Sequence, residues 1–313
     1  MPLGTSRQYS VHFSSGPWRP AAGAPLVPTL GVIRNHVTVL RRILAAVGLG
    51  TAALASGADA PLLDPTPDRP EPFGYKVSWF AVQAHDSKLV VEALGLGGGT
   101  TANWSSGVKA AYRQPTGAER PRAFVSPPIG GWVFVVGSSL PYPDAGSSVE
   151  ASKFKNPFYE LLSRLSSRFH DVQFFGSYRV VGLTAWARAV KGNVQRVFAY
   201  ADGEVYVNVG EQSSEERQLN FANLSGLTPA QATERIFDIA QQQEAEEDEL
   251  ASKGLPPTET LAHSQQSTRN PIPDEECVLE LATLWSINPN EFPLEWSLGN
   301  GVVISLPKEF AQQ

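Results

Sequence analysis

Residues Val172–Val209 read VQFFGSYRVVGLTAWARAVKGNVQRVFAYADGEVYVNV, a run rich in β-branched and aromatic side chains. It is interrupted only at Phe175-Gly176-Ser177, Lys191-Gly192-Asn193 and Ala201-Asp202-Gly203. Glycine beside small or polar residues is turn chemistry, and the stretches between have strand composition. The run therefore predicts a meander of three or four antiparallel strands.

Register follows from the side chains. If the turn after Val190 has two central residues, Lys191-Gly192 or Gly192-Asn193, then Arg188 and Arg196 fall on opposite faces of the sheet. A three-residue turn would set them directly opposite each other, a destabilising like-charge pair. The two-residue turn places Ala185, Ala187, Ala189, Arg196, Phe198, Tyr200, Val205, Val207 and Val209 on a core face covered by a helix at 158–169. The other face carries Thr184, Trp186, Arg188, Val197, Ala199, Tyr206 and Asn208. A Trp/Tyr/Arg group has the composition of an interface anchor, which makes Trp186, Arg188, Tyr206 and Asn208 the candidate partner-binding residues. The competing expectation is that another helix or the C-terminal segment covers this face, with Arg188 reaching outward.

Upstream of the meander, Phe158, Leu161, Leu162, Leu165 and Phe169 form one helical stripe. Further upstream, KVSWFAVQ alternates like a strand, and Asp86 or Ser87 can cap a helix that ends at Gly95. GLGGGTTAN reads as a flexible run, WSSGVKAAY as a short helix, and RAFVSPPIGGWVFVVG as a hairpin. Downstream, Thr228 and Pro229 open an acidic helix whose second half, QQQEAEEDEL, is polar all round. A helix at 274–285 and a strand at Val302–Leu306 close the chain. The fold class is α+β, a mainly antiparallel sheet with a C-terminal meander and helices packed on one face. Residues 75–313 form a single domain, β-α-β-β followed by α-β-β-β-β and a helical C-terminal part.

Ahead of that domain, PLLDPTPDRPEPFG reads as an extended linker over residues 61–74. Residues 34–60 have the three parts of a secretory signal peptide. Arg34, Arg41 and Arg42 form a basic region, Ile43–Leu54 an apolar segment, and Ala53-Leu54-Ala55 a small-x-small cleavage pattern. The apolar segment is about a dozen residues, short of the roughly twenty that a membrane-spanning helix needs, so stable insertion is not expected after cleavage. Residues 1–33 show no periodicity and read as disordered or outside the mature protein. A periplasmic or secreted location follows, with the cytoplasm as the alternative if the signal reading fails.

The 313 residues carry a net charge of −6, and the first sixty hold five arginines and one acid, so the remainder carries −10. An acidic body repels phosphate backbones and attracts basic proteins, which disfavours nucleic acid and points to a protein partner such as a basic toxin. Cys277 is the one cysteine, which excludes an internal disulfide and any multi-thiolate metal site. The sequence has no H-E-x-x-H, no G-x-S-x-G and no phosphate loop ending in G-K-[ST]. No catalytic residue, metal or cofactor is assigned on these grounds. A hydrolase using His170, Asp171 or Glu211 is the competing class.

The segments GYKVSWFAV, GWVFVVG, LSRLSSRF followed by DVQFFGSYRV, TAWARAVKGNVQRVFAYADGE and a later GE…EE element resemble a family of uncharacterised bacterial proteins, over roughly residues 74–290. Such families include polymorphic-toxin immunity proteins, and the resemblance implies binding in place of catalysis. The expected function is an exported bacterial binding protein, an immunity or inhibitor protein that occludes a toxin.

Overall fold

The computed structural model describes residues 62–144, 156–254, 271–293 and 295–312. Strands β1 (Ser78–Gln83), β2 (Thr100–Asn103), β3 (Arg122–Val125), β4 (Trp132–Gly137), β5 (Asp171–Tyr178), β6 (Leu183–Val190), β7 (Asn193–Ala201), β8 (Glu204–Val209) and β9 (Asn300–Ser305) form one sheet. Its order is β2-β9-β3-β4-β1-β5-β6-β7-β8, antiparallel throughout. Among the described residues six helices accompany it: α1 (Ser87–Leu94), α2 (Trp104–Tyr112), α3 (Pro157–Ser166), α4 (Ser214–Gln218), α5 (Pro229–Ser252) and α6 (Glu275–Trp285). The class is α+β with an antiparallel sheet, as the residue pattern predicts.

The helices begin where side chains can take up free backbone N–H groups. Asp86, Asn103, Asn156, Thr228 and Asp274 each accept from a first-turn amide of the helix that follows. They were expected on one face of the sheet, and they cover both. The reason lies in the central strand: in β1, Trp79 and Ala81 point into one cluster while Phe80 and Val82 point into the other, and all four are fully buried. A strand with two apolar faces needs cover on two sides. Helices α2, α5 and α6 pack on the Trp79 side, and α1 and α3 on the Phe80 side.

The proline-rich stretch ahead of β1 is extended, as its prolines require, but residues 62–74 are bound to the domain instead of linking to it. Asp68 forms an antiparallel bridge to Gly299, its carboxylate accepts from Trp104 N at 2.6 Å and Ser105 N at 3.0 Å, and Phe73 is buried edge-on against Trp79 and Phe134. The expected flexible run contains β2. The closing strand also sits elsewhere than at an edge: β9 lies between β2 and β3. At Gly301 a Cβ would come within 2.1 Å of Val125 O and 2.8 Å of the Phe124 ring, so only glycine lets β9 approach this closely. The expected signal segment at 34–60, and residues 1–33, lie outside the described residues.

In the meander, the interruption expected at Phe175-Gly176-Ser177 lies inside β5, and β5 turns into β6 through a 3-10 turn at Arg179–Val181. The β6–β7 and β7–β8 turns each have two central residues in the left-handed region, Lys191 (φ 51°) and Gly192 (φ 78°), then Asp202 (φ 48°) and Gly203 (φ 83°). That backbone matches the right-handed twist of the strands it joins. The predicted faces nevertheless change, because two bulges interrupt the ladder. Val194 opposes Ala189 while Arg196 opposes Arg188, leaving Gln195 unpaired; Val205 opposes Tyr200 while Val207 opposes Ala199, leaving Tyr206 unpaired. Each extra residue turns the rest of its strand over. Trp186, Arg188, Arg196, Phe198, Tyr200 and Asn208 consequently share the face beneath α4 to α6. Ala185, Ala187, Ala189, Val197, Ala199, Val207 and Val209 share the other, which α3 covers.

Candidate functional site

The first bulge brings Arg188 and Arg196 directly opposite each other, the arrangement that register alone disfavoured. It is tolerated because each guanidinium has its own carboxylate. Arg196 is 3% exposed; its Nε donates to Glu216 Oε1 at 3.0 Å and Oε2 at 3.3 Å, and its Nη1 to Asn208 Oδ1 at 2.7 Å. Nη1 also reaches the carbonyls of Val209 (3.2 Å) and Gly210 (3.3 Å). Glu216 receives two more donors, the Trp186 indole at 3.0 Å and Ser213 N at 2.7 Å. A buried ion pair is tolerable only when its polar atoms find partners, and here the Arg196 Nε and Nη1 and both Glu216 oxygens have them.

Local sequence puts Glu216 there. Ser213-Ser214-Glu215-Glu216 is a capping box in which the Ser213 hydroxyl accepts from Glu216 N and the Glu216 carboxylate accepts from Ser213 N. The same carboxylate faces Arg196, so capping and pairing fix α4 over Trp186 together. The chain reaches α4 through Gly210 (φ 81°), where a Cβ would come within 1.9 Å of Gln195 O; the crossing over the bulge requires glycine.

Arg188 is held differently. Its Nη2 donates to Asp171 Oδ2 at 2.6 Å and its Nε to both carboxylate oxygens, at 3.3 and 3.2 Å. The guanidinium lies 5.5 Å from the centroid of the Trp285 ring. Nη1 faces Glu215 Oε1 at 3.7 Å, an ion pair beyond hydrogen-bond reach. Asp171 is also met by Gln173 Nε2 at 3.3 Å, and that amide donates to Trp285 O at 2.9 Å. Beside this group lies an open groove of about 540 Å³. It is lined by the end of the β6–β7 hairpin, by Glu211, Ser213, Ser214 and Glu215, and by Trp285.

The four candidate partner-binding residues are thus not one exposed face. Trp186 is 3% exposed, stacked on Phe198 with centroids 4.4 Å apart, and its indole N–H is committed to Glu216. Asn208 accepts from Arg196 and donates to the carbonyls of Leu224 and Leu227. Tyr206, at the second bulge, packs beside the cluster on the far side, and burial, then Glu204 and Asp202, pushes its phenol up. Arg188 alone of the four borders the groove. The helical and C-terminal cover weighed as the alternative is present, in α4 to α6. Of the carboxylates and histidine considered for hydrolysis, Asp171 is chelated by Arg188, His170 is exposed at the start of β5, and Glu211 is exposed on the groove rim.

Sequence reasoning sees Glu215-Glu216 only as a solvated acidic pair and gives Gln173 and Trp285 no part in a site. The S-x-x-E spacing from Ser213 to Glu216 was a readable signal for the first; the other two become neighbours of Arg188 only through strand pairing and α6 packing. Among the described residues no group of three or more His, Cys, Asp or Glu could hold a metal ion, and no helix is long and apolar enough to cross a membrane. No family model, curated protein or solved structure matches the chain.

Proposed function

We propose that the chain is an exported bacterial binding protein, an immunity or inhibitor protein that occludes a basic toxin, and that the outer half of α5 is its contact surface. The observation that carries this reading is the division of α5. Its buried residues Ala232, Ile236 and Ile239 all lie in the first half, against the meander. Beyond them Glu244, Glu246, Glu247, Asp248 and Glu249 are exposed, with Lys253 paired to Glu249 at 2.6 Å. Like charges packed along one helix repel one another, and a cationic partner would relieve that repulsion. Export rests on the order of basic region, apolar segment and small-residue pattern in residues 34–60.

The test is co-expression with toxins encoded beside the gene, in the envelope fraction of the host. Protection is expected, and a variant with Glu244, Glu246, Glu247 and Asp248 changed to lysine should lose it. Association should also slow as salt is raised, since exposed charges steer encounter more than they hold the complex. A toxin bound equally well by the charge-reversed variant would refute the assignment of the surface, and recovery of the protein in the cytoplasm would refute export.

A further inference from the structure

The groove beside Arg188 is independent of the acidic arm, and its chemistry is of a different kind. Its volume, about 540 Å³, lies in the range of small-molecule sites. Lys191 and Arg188 supply positive charge on the hairpin side. Lys191 is exposed and forms no ion pair among the described residues, and Arg188 keeps Nη1 out of hydrogen-bond reach of Glu215. The lining also carries two carboxylates: Glu215, which faces Arg188 Nη1 at 3.7 Å, and the exposed Glu211. The hairpin also offers acceptors. Asn193 and Gln195 both spend their amide nitrogens on the turn backbone, donating to Lys191 O at 3.1 Å and Asn193 O at 3.2 Å, so their oxygens remain as acceptors.

We propose that this groove binds a short peptide in its zwitterionic form, with the terminal carboxylate on Lys191 and Arg188 Nη1, the terminal ammonium on Glu211, and the peptide N–H on the Asn193 and Gln195 oxygens. A ligand with one charge would leave either Lys191 or Glu211 unanswered, and an apolar one would leave both. The site is rigid on one side: Arg188 is fixed by Asp171 and by the Trp285 ring, so little ordering is needed when the carboxylate arrives.

Isothermal titration of the whole protein with L-alanyl-L-alanine tests this, alongside the N-acetylated dipeptide, which lacks the ammonium, and the dipeptide amide, which lacks the carboxylate. Saturable binding of the free dipeptide is expected, with each blocked form weaker by about tenfold or more, the scale of one charge-assisted hydrogen bond. Lys191→Glu and Glu211→Lys should each weaken the free dipeptide by a similar factor while leaving the thermal unfolding curve in place, because both side chains are exposed. Absence of saturable heat, or equal binding of the blocked and free dipeptides, overturns the proposal. Neither result bears on toxin protection, which the groove does not touch.

Discussion

From β5 to β8 the sheet follows chain order, each strand joined to the next by a short turn, whereas from β2 to β4 it is assembled from segments far apart in sequence, with β9 placed between β2 and β3. The two regions are also held together differently. The meander carries two arginines opposite one another, each neutralised by its own carboxylate. The other region relies on rings: Phe73, Trp104, Phe134 and Phe292 meet at centroid distances of 5.5 to 6.0 Å, and residues 62–74 lie over the end of the sheet. Hairpins close short loops before long-range contacts exist to reward them; the β2-β9-β3 arrangement can form only once the distant C-terminal strand arrives. The comparison predicts a region that folds on its own pairing and one that waits for the rest of the chain.

The largest expected effect comes from removing residues 299–313. β2 and β3 would each lose a partner, and the buried Ile304, Leu306 and Phe310 would leave the core. Each such side chain contributes about 1.5–3 kcal/mol, and their sum rivals a typical domain stability. The cooperative melting transition by circular dichroism should disappear, with any residual amide protection confined to β6, β7 and β8. Protection surviving in β3 and β4 instead would invert the comparison. Next in size is the buried pair of the meander. Glu216→Leu or Arg196→Met alone leaves an uncompensated charge at a site 3% exposed or less and should cost about 3–5 kcal/mol in urea unfolding. The double change should recover much of that loss, and additive losses would show that the charges matter for something other than each other.

These differences set what could be read from sequence. The meander, its two-residue turns and the caps at Asp86 and Thr228 were legible because each depends on residues within a few positions: Lys191-Gly192, Asp202-Gly203, Thr228 before Pro229. The faces of the meander were not, because a bulge at Gln195 or Tyr206 has no signature in a strand whose neighbours also have strand composition. The placement of β9 was equally hidden; Gly301 marks a close approach but not the strand it approaches. In the candidate site the acidic pair Glu215-Glu216 was visible as a pair, yet its two members part company. Glu216 is buried on Arg196, and Glu215 faces the groove. Only the fold separates them.

A smaller effect is expected at the strap. Asp68→Ala removes the acceptor for two N–H groups at the start of α2 while Asn103 continues to cap Ser106 N. The loss should be about 1 kcal/mol, and limited proteolysis within residues 62–74 should quicken while amide exchange in β6 to β8 stays unchanged. If exchange rises in the meander as well, the two regions unfold as one unit, and their different construction has no energetic counterpart.

The smallest effect probes the groove carboxylate of Glu215. Burial works to raise Glu215, but hydrogen bonds from its own backbone N–H and from the Ser214 hydroxyl, with Arg188 nearby, outweigh it and hold the group below its ordinary value of 4.5. A carboxyl depressed in the folded state binds its proton more readily when unfolded. Its contribution is therefore fully present above the ordinary value and is lost as pH falls through the folded-state value. Glu215→Gln should lower the urea midpoint slightly at neutral pH, and the gap from the parent protein should close as titration into acid passes the folded-state value. A gap that persists in acid would mean that the glutamine disturbs the packing of α4 over Trp186, so that Glu215 supports the meander by its shape and not by its charge.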